Sequence, residues 1–317
     1  MKTVGVVMAT YNGEEFLREQ LDSIIKQTQP LQQIVIVDDC SKDKTCEIIY
    51  EYINRFPGLI LYIENKENLG PKKAFETGIS NCSTDYIALS DQDDVWESEK
   101  IAKQYKLLET NKHAKLCFHD LKLINSKGKH IGPSYWEVAL DQLPVTGNDA
   151  RKRLINCLNP VPGCSMFFSS DLKQHILPMP SSKWICHDWW LCVISFFLND
   201  PVFVRETLTK YRLHPSQAAG IRIDLQKERE QLSIRKLFFR IKRETKRLFN
   251  KKSSREIRLI GQNKIRYTKS MELMKLIEKW GDVKESHGYL VEHVNFKSEI
   301  EKNIKDSYAF LKERNEI

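Results

Sequence analysis

Residues 86–96 read YIALSDQDDVW, and this stretch decides the fold. Tyr86–Leu89 is continuously apolar, a pattern typical of a strand that is buried on both faces of a parallel sheet. Asp91, Asp93 and Asp94 follow, and carboxylates this close repel one another unless a cation or solvent relieves them. Hard divalent cations take oxygen ligands and often join carboxylates to a substrate diphosphate, so the acidic loop predicts a metal–diphosphate site. The alternative is a solvated acidic turn that caps the next helix.

Strand and helix patterns alternate upstream of this stretch. β-Branched and apolar runs predict strands at Val4–Thr10, Ile34–Val37 and Leu59–Ile63. Apolar residues at helical spacing predict helices over Glu14–Gln27 and from about Thr45 to Arg55. This alternation indicates an α/β fold with a mostly parallel sheet and helices on both faces, in which ligands bind beyond the carboxyl ends of the strands.

The loops at those carboxyl ends suit a nucleotide diphosphate. They read TYNG, DDCS, NLGPKK and SDQDD, so two are acidic and a third carries Lys72 and Lys73. Carboxylates can hold a ribose or base, lysines can balance phosphate charge, and a metal can bridge the two. The patterns GxGxxG and GxxxxGK[ST] are absent, which excludes the standard dinucleotide and P-loop motifs.

Composition and charge narrow the class further. Of 317 residues, 41% are hydrophobic and 29% are charged, which is typical of a globular protein. Eight dispersed cysteines without a CxxC pair argue against structural zinc and favour reduced thiols inside a cell. No apolar run reaches the about 20 residues that a membrane span needs, and no signal peptide is recognised. We therefore expect a cytoplasmic protein.

Seven motifs in order resemble glycosyltransferase family 2, whose enzymes have the GT-A fold and use nucleotide sugars. The first four are ATYNG (9–13), VDDCSKDKT (37–45), ENLGPKKAFETG (67–78) and SDQDDVW (90–96). The others are PGCSMFF (162–168), CHDWWLCV (186–193) and YRLHPSQAAG (211–220). Several spaced motifs in the right order are a far stronger signal than an isolated acid-x-acid pair.

The resemblance implies roles on the donor side. Asp39 matches the carboxylate that holds the base or ribose, and Asp91 and Asp93 match the family's DxD acids, with Asp93 the more direct ligand of Mg²⁺ or Mn²⁺. His214 could approach the metal when its loop closes, or it could be a surface residue before a proline. The remaining residues expected to contact the nucleotide sugar are Thr10, Tyr11, Lys72, Lys73 and Gln92.

On the acceptor side, Asp188 matches the family's catalytic base, with capping of the apolar helix 189–198 as its alternative role. His187 stands where the family usually has an acid, and it could polarise the acceptor or simply hydrogen-bond within the fold. Trp189 and Trp190 could stack on an acceptor sugar, although core packing of at least one is the alternative interpretation.

The chain divides into a catalytic domain at 1–221, with nucleotide-binding (1–96) and acceptor-binding (97–221) halves, and a basic helical region at 222–317. Residues 222–258 contain 14 Lys or Arg and 5 Asp or Glu. Their net charge of +9 exceeds the net charge of the whole chain, which is +8. Within them, 234–252 has the pattern of a basic amphipathic helix that could attach to the inner face of the cytoplasmic membrane or pack on the catalytic domain. No nucleic-acid recognition module is present.

These observations predict an inverting, metal-dependent transferase that moves a hexose or rhamnose from a UDP- or dTDP-linked donor. The family resemblance implies a lipid-diphosphate-linked saccharide acceptor in O-antigen, capsule or other surface polysaccharide synthesis. A sugar nucleotidyltransferase and a non-catalytic carbohydrate-binding protein are the alternatives. The former would not need an acceptor-side acid such as Asp188, and the latter would show no turnover.

Overall fold

The computed structural model describes residues 2–139, 154, 159, 161–182, 185–217, 301, 305, 308, 309 and 312. Its described strands form one eight-stranded sheet in the order β3-β2-β1-β4-β7-β6-β8-β5. The strands are β1 (Val4–Thr10), β2 (Gln33–Asp38), β3 (Ile60–Glu64), β4 (Tyr86–Ser90), β5 (Val95–Trp96), β6 (Leu116–Asn125), β7 (Phe167–Ser169) and β8 (Val202–Leu213). The helices are α1 (Leu17–Ile25), α2 (Thr45–Arg55), α3 (Pro71–Asn81), α4 (Lys100–Thr110), α5 (Tyr135–Ala139), α6 (Lys173–Ile176) and α7 (His187–Leu198).

Most strand pairs are parallel. Strands β1, β2, β3 and β4 pair in parallel, and so do β6 and β8. Strand β7 lies antiparallel between β4 and β6, so β6 and β8 run in the same direction as the first four strands. Loops that carry predicted functional residues therefore emerge from one edge of the sheet, at the ends of β1, β2, β4 and β8.

Helices cover both faces of the sheet because successive residues of a buried strand point to opposite sides. Val7 packs in a core with α3 and α7, whereas its neighbours Val6 and Met8 pack in a second core with α1, α2 and α4. The central strands are consequently apolar throughout, as a two-sided parallel sheet requires. The predicted α/β class with a mostly parallel sheet is confirmed.

The predicted strands and helices of the first half are present: the strand Val4–Thr10 and the helix Thr45–Arg55 match at both ends, and the other ends differ by at most three residues. Helix α3 shows the local cause of one such boundary. Gly70 has φ +85°, which favours glycine, and Pro71 follows as the first helical residue, where its fixed φ fits and its missing N–H costs nothing. The turn therefore ends the loop after β3 and begins α3.

The sheet runs without interruption from the predicted nucleotide-binding half (1–96) into the predicted acceptor-binding half (97–221) through the β4–β7 pairing. The basic region 222–258 and its proposed amphipathic helix 234–252 lie outside the described residues. Among the residues that are described, no helix is both long enough and apolar enough to cross a lipid bilayer. The seven described cysteines are free thiols.

Candidate active site

The acidic loop after β4 is fastened to the end of β8. Asp94 is fully buried, and its Oδ1 accepts a hydrogen bond from the backbone N–H of Arg212 at 3.0 Å. Arg212 Nε donates to the backbone carbonyl of Asp93 at 2.7 Å, and its Nη2 pairs with Glu19 at 2.6 Å. Helix α4 begins only at Lys100, so the acidic loop does not cap it. Asp94 is therefore a fixed anchor, while the half-buried Asp91 and Asp93 remain nearer the surface.

His214 lies against the acidic loop, directly after β8. Its Nε2 is 2.8 Å from Oδ2 of Asp93, and its Nδ1 is 2.9 Å from the hydroxyl of Ser216. The imidazole ring packs on Phe16, with 4.9 Å between ring centroids. The structure thus brings together the side chains of Asp93 and His214, which are far apart in sequence.

Asp91 lies in a concentration of negative charge. Burial, together with the charges of Asp93 and Asp188, raises the pKa of the Asp91 carboxyl to about 7. The charge of Asp188 acts on Asp91 although the two residues come from distant parts of the chain. Two like charges held near each other favour binding of a cation between or beside them.

A short 3₁₀ turn, Gly163–Ser165, joins the two acidic elements. Cys164 Sγ and one carboxylate oxygen each from Asp91 and Asp94 all lie within 4.8 Å of one another. On the preceding residue, a Cβ added to Gly163 would lie 3.5 Å from Cβ of Asp188. The same turn therefore lies near the acidic loop on one side and near Asp188 on the other.

The oxygen donors of this loop fit a hard divalent cation. Oδ2 of Asp94 is buried and has no hydrogen-bond partner among the described residues. Burial, with the charges of Asp94 and Asp91, raises the pKa of the Cys164 thiol well above its usual value, so this residue stays a neutral thiol and a poor ligand for Mg²⁺. Carboxylates are the ligands in this loop that suit Mg²⁺ or Mn²⁺. Asp91 belongs both to the group predicted from the sequence and to the group found in the structure. The sequence grouped Asp91 with Asp93 and His214, whereas the group of three potential ligand atoms within 4.8 Å of one another contains Asp91, Asp94 and Cys164.

Lys100 is a buried cation that the sequence analysis did not identify. Its Nζ donates to the carbonyl of Cys164 at 2.7 Å and lies 3.5 Å from the centroid of the Trp96 ring. Burial lowers the pKa of the Lys100 ammonium to about 7, while the charges of Asp94 and Asp91 act to raise it. A signal was present in the sequence, since Lys100 shares the buried face of α4 with Ile101, Gln104 and Leu108.

The first two loops are tied to each other and to the acidic loop. Thr10 is buried, and its hydroxyl donates to Oδ1 of Asp38 at 2.8 Å. Tyr11 is 46% exposed, and its backbone N–H and C=O bond the Gln92 amide at 2.8 and 3.0 Å. Gln92 therefore joins the acidic loop to the loop after β1. Nucleotide contact by Thr10, Tyr11 and Gln92 stays a prediction.

Asp39 is 3% exposed and holds the loop that precedes α3. Its carboxylate accepts hydrogen bonds from the side chain of Asn65 at 2.8 Å and from the backbone N–H groups of Leu69 and Gly70 at 2.9 and 2.7 Å. Asp38, which the sequence analysis did not identify, accepts hydrogen bonds from the backbone N–H and the hydroxyl of Ser41 and so holds the loop after β2. Base or ribose binding by Asp39 stays a prediction.

The two lysines of α3 point to different partners. Lys72 Nζ donates to the backbone carbonyl of Pro180 at 2.7 Å and to that of Ser182. Lys73 pairs with Glu76, one turn further along the same helix, at 2.9 Å. Lys72 thus contacts the acceptor-side segment, although the sequence assigned both lysines to the diphosphate.

Asp188 is the second residue of α7, and Cys186 occupies the cap position without a side-chain cap. Oδ1 of Asp188 accepts the backbone N–H of Trp189 at 2.7 Å. The N-cap alternative is therefore not what the structure shows. A carboxylate in the first turn is nevertheless stabilised by the helix dipole.

His187 is held between α3 and the 3₁₀ turn. Its ring stacks on Phe75 at 4.0 Å between centroids with 22° between planes, and a Cβ on Gly163 would lie 2.9 Å from Nε2. Burial lowers the pKa of His187, so the imidazole is neutral near pH 7. Its Nε2 is buried without a hydrogen-bond partner among the described atoms.

Trp189 and Trp190 are 2% and 4% exposed and belong to the core beneath α7. Trp190 Nε1 also donates to the carbonyl of Ile176 at 3.0 Å. Their burial agrees with the core-packing interpretation. Stacking on an acceptor sugar would require these rings to become exposed.

The sequence model described as "Glycosyl transferase family 2" matches residues 5–176, which is more than half of the chain. The chain belongs to glycosyltransferase family 2. An uncharacterized glycosyltransferase of Rickettsia prowazekii is 30% identical over 236 residues, which are 72% of this chain and 70% of the relative. An uncharacterized protein of Mycobacterium bovis is 28% identical over 67% of this chain, and the match spans 59% of that relative's length. The resemblance seen in the motifs is confirmed.

Solved structures place this family 2 chain in the GT-A fold. Staphylococcus aureus TarS 1-349 in complex with UDP matches with a TM-score of 0.52 and 20% identity, covering 67% of this chain and 61% of TarS 1-349. Mannosyltransferase PcManGT of Pyrobaculum calidifontis, in complex with GDP-Man and Mn²⁺, matches with a TM-score of 0.53 and 14% identity. That match covers 98% of this chain and 74% of the mannosyltransferase. At these identities the likeness establishes the fold.

Proposed function

We propose that this family 2 chain is an inverting, metal-dependent glycosyltransferase that moves a hexose or rhamnose from a nucleotide sugar to a saccharide acceptor. The observation that carries the proposal is the position of the 3₁₀ turn Gly163–Ser165: a Cβ added to Gly163 would lie 3.5 Å from Cβ of Asp188, and Cys164 Sγ lies within 4.8 Å of carboxylate oxygens of Asp91 and Asp94. A base candidate and a diphosphate-binding candidate thereby share one site. A transferase needs both, because one group activates the acceptor and the other receives the leaving group.

In this mechanism the acceptor hydroxyl gives its proton to the Asp188 carboxylate as its oxygen attacks the anomeric carbon. The new carbon–oxygen bond forms on the face opposite the departing nucleoside diphosphate, so the configuration inverts. General-base help of this kind is worth about 10²–10⁴-fold in rate. The neutral His187 beside Asp188 adds no competing charge, and its ring packing on Phe75 restricts the backbone from which Asp188 projects.

Asp91 and Asp93 are the residues proposed to hold Mg²⁺ or Mn²⁺, with His214 beside Asp93. When bound, such an ion would supply positive charge to the leaving diphosphate. Asp94 and Arg212 fix the loop that carries both acids to the end of β8. A metal site in this loop agrees with the Mn²⁺ ion in the mannosyltransferase complex, an ion that belongs to that other protein.

The proposal does not fix the base of the donor nucleotide, which can be uracil, thymine or guanine. The sequence favoured UDP or dTDP, while the related folds bind UDP and UDP-GlcNAc in TarS and GDP-Man in the mannosyltransferase. We further propose a lipid-diphosphate-linked acceptor of surface polysaccharide synthesis and attachment of segment 234–252 to the inner face of the cytoplasmic membrane. The net positive charge of this part of the chain supports that attachment, because anionic lipids attract clustered Lys and Arg.

Membrane attachment is tested by flotation with vesicles that contain anionic lipid. The full chain should float with the vesicles, and a form that lacks 234–252 should remain at the bottom of the gradient. Equal recovery of both forms would refute the membrane role and leave packing on the catalytic domain.

The catalytic proposal is tested with Asp188→Asn. We expect transfer to fall about 10²–10⁴-fold while metal-dependent binding of UDP, dTDP or GDP is retained, since only the base is lost. Asp171→Asn is the matched control, because Asp171 forms a surface ion pair with Lys115 that is worth little.

Three results would contradict the proposal. Near-normal turnover of Asp188→Asn would remove Asp188 from the base role. Release of inorganic diphosphate would identify a sugar nucleotidyltransferase instead. Failure of the unaltered protein to turn over any nucleotide sugar, with no metal-dependent nucleotide binding, would identify a non-catalytic protein on the same fold.

A further inference from the structure

Two side chains of helix α3 contact the segment 180–187 on the same face of the sheet. Lys72 Nζ donates to the backbone carbonyls of Pro180, at 2.7 Å, and Ser182, so at least two of its three N–H donors hold main chain that precedes α7. One turn further along α3, Phe75 is 2% exposed and stacks on the ring of His187. Both contacts act on the chain just before Asp188.

The opposite end of this connection lies on the donor side. Asp39 binds the backbone N–H groups of Leu69 and Gly70, which form the loop that enters α3. The N–H groups of Lys73 and Ala74 in turn bond the carbonyl of Gly70 and continue the helix from that loop. One helix therefore joins the loop held by Asp39 to the segment held by Lys72.

We propose that Lys72 and Phe75 are positioning residues that set the placement of Asp188, and that α3 couples the donor loop to the acceptor-side base. The inference deepens the proposed function and rests on it. It gives Lys72 a role different from the diphosphate contact that its place in the sequence suggested. An ammonium group that bridges two carbonyls orients main chain, whereas a diphosphate ligand would act directly on donor affinity.

The aromatic contact and the ammonium contact work on adjacent parts of one segment. Lys72 holds the segment at residues 180 and 182, and Phe75 holds it at His187, with Gly163 closing the other side of the imidazole. Rotation of the first turn of α7 would move Asp188 relative to the acceptor hydroxyl. Misplacement of a reacting group by about 1 Å can cost about 10²-fold in rate.

The test compares Lys72→Met and Phe75→Leu with Lys106→Met. Lys106 is exposed on α4, on the other face of the sheet, so this variant removes a lysine with the same substitution and leaves α3 intact. The readouts are kcat, the donor KM, the Kd of UDP, dTDP and GDP with Mn²⁺, and the melting temperature. Lys72→Arg is included because guanidinium donors can bridge the same two carbonyls.

We expect kcat to fall about tenfold or more in Lys72→Met and Phe75→Leu, with the nucleotide Kd within about twofold of the unaltered protein. Lys72→Arg should recover a large part of kcat, and Lys106→Met should behave as the unaltered protein does. A tenfold weaker nucleotide Kd with unchanged kcat in Lys72→Met would show a diphosphate ligand and overturn the proposal. A lower melting temperature with unchanged kcat would show a merely structural contact and also overturn it.

Hydrogen exchange provides a readout that does not need catalysis. The N–H of Trp190 donates to the carbonyl of Cys186 at 3.0 Å and reports on the first turn of α7. Its exchange should accelerate in Lys72→Met and Phe75→Leu and stay unchanged in Lys106→Met. Unchanged exchange in the first two variants overturns the positioning role, whereas absence of sugar transfer by the unaltered protein defeats the proposed function itself.

Discussion

The loops proposed to bind the donor and the helix proposed to carry the acceptor-side base are held in two different ways. On the donor side, Asp39 and Gln92 each bond the backbone of another loop and Asp38 bonds the backbone of the loop that follows it, so polar side chains fix the main chain at the strand ends. On the acceptor side, Asp188 makes its hydrogen bond to the next residue, and the placement of its helix depends on packing around His187 and on Lys72.

The difference indicates which kind of change should harm each side. Hydrogen bonds from one loop to the next are local and largely independent, so their loss should weaken donor binding. Packing of a helix start depends on shape, so a small steric change should alter the catalytic step while donor binding survives. Two further variants, Gly163→Ala and Asp39→Asn, test this contrast, and a third, His119→Gln, tests a separate effect on stability.

Gly163→Ala should have the largest effect and should act on the acceptor side alone. The new methyl group would lie 2.9 Å from His187 Nε2 and 3.5 Å from Cβ of Asp188, so the start of α7 must shift. We expect kcat to fall by up to about 100-fold with little change in nucleotide Kd. Steady-state kinetics with calorimetric nucleotide titration would measure both. Equal losses in kcat and nucleotide affinity would contradict the separation of the two sides.

Asp39→Asn should have an intermediate effect on the donor side. The Asp39 carboxylate accepts three hydrogen bonds through its two oxygens. In asparagine one of these oxygens is replaced by an NH₂ group, which donates and cannot accept, so at least one of the three bonds is lost. We expect nucleotide Kd to weaken about tenfold, equivalent to about 1.4 kcal/mol, and the N–H groups of Leu69 and Gly70 to exchange faster even without nucleotide.

Glu67→Gln is the control for Asp39→Asn, since Glu67 is exposed in the same loop. Weaker nucleotide binding in Asp39→Asn with unchanged exchange at Leu69 and Gly70 would assign Asp39 to direct contact alone. Unchanged binding with faster exchange would assign it to loop support alone. Either result would sharpen the comparison between the two sides.

His119 should give the smallest effect, which concerns stability against pH. Burial, followed by the charge of Lys100, lowers the pKa of His119 well below its usual value, so the folded protein keeps this imidazole neutral. As the pH falls, the unfolded chain binds the proton at a higher pH than the folded protein does. The contribution of neutral His119 to stability is therefore fully present above about pH 6.5 and is lost as the pH falls below that value.

Urea unfolding of the unaltered protein and of His119→Gln, at about pH 7.5 and about pH 5.5, measures this contribution. The variant should lose less stability than the unaltered protein over that interval because its side chain does not titrate. Identical pH dependence of the two proteins would show that His119 takes up its proton in the folded state.

Much of the architecture could be predicted from short-range patterns. Continuous apolar strands such as Val4–Thr10 and Tyr86–Leu89 indicated a sheet covered on both faces, because no other environment accepts them. Alternation with amphipathic helices then required parallel pairing and placed the functional loops at one edge. Those inferences succeed because strand and helix periodicity are local properties of the chain.

The roles of individual polar residues were less accessible. Lys72 and Lys73 are neighbours with the same chemistry, yet one bonds carbonyls more than 100 positions away and the other pairs with Glu76. Lys100 had no visible partner in the sequence, because its carbonyl acceptor, Cys164, belongs to a turn that follows much later. Partners of this kind are chosen by the packing of distant segments.

By itself, the sequence determined that this chain has a two-faced parallel sheet with acidic loops at its carboxyl edge, and that it carries the motifs of glycosyltransferase family 2. Only the tertiary structure decided that Cys164 and Gly163 join the acidic loop to Asp188, that Asp39 and Gln92 brace loops, and that Lys72 reaches the acceptor side. The physical reason is range: backbone pattern follows from neighbouring residues, whereas hydrogen-bond partners and charge environments arise only when separate segments pack together.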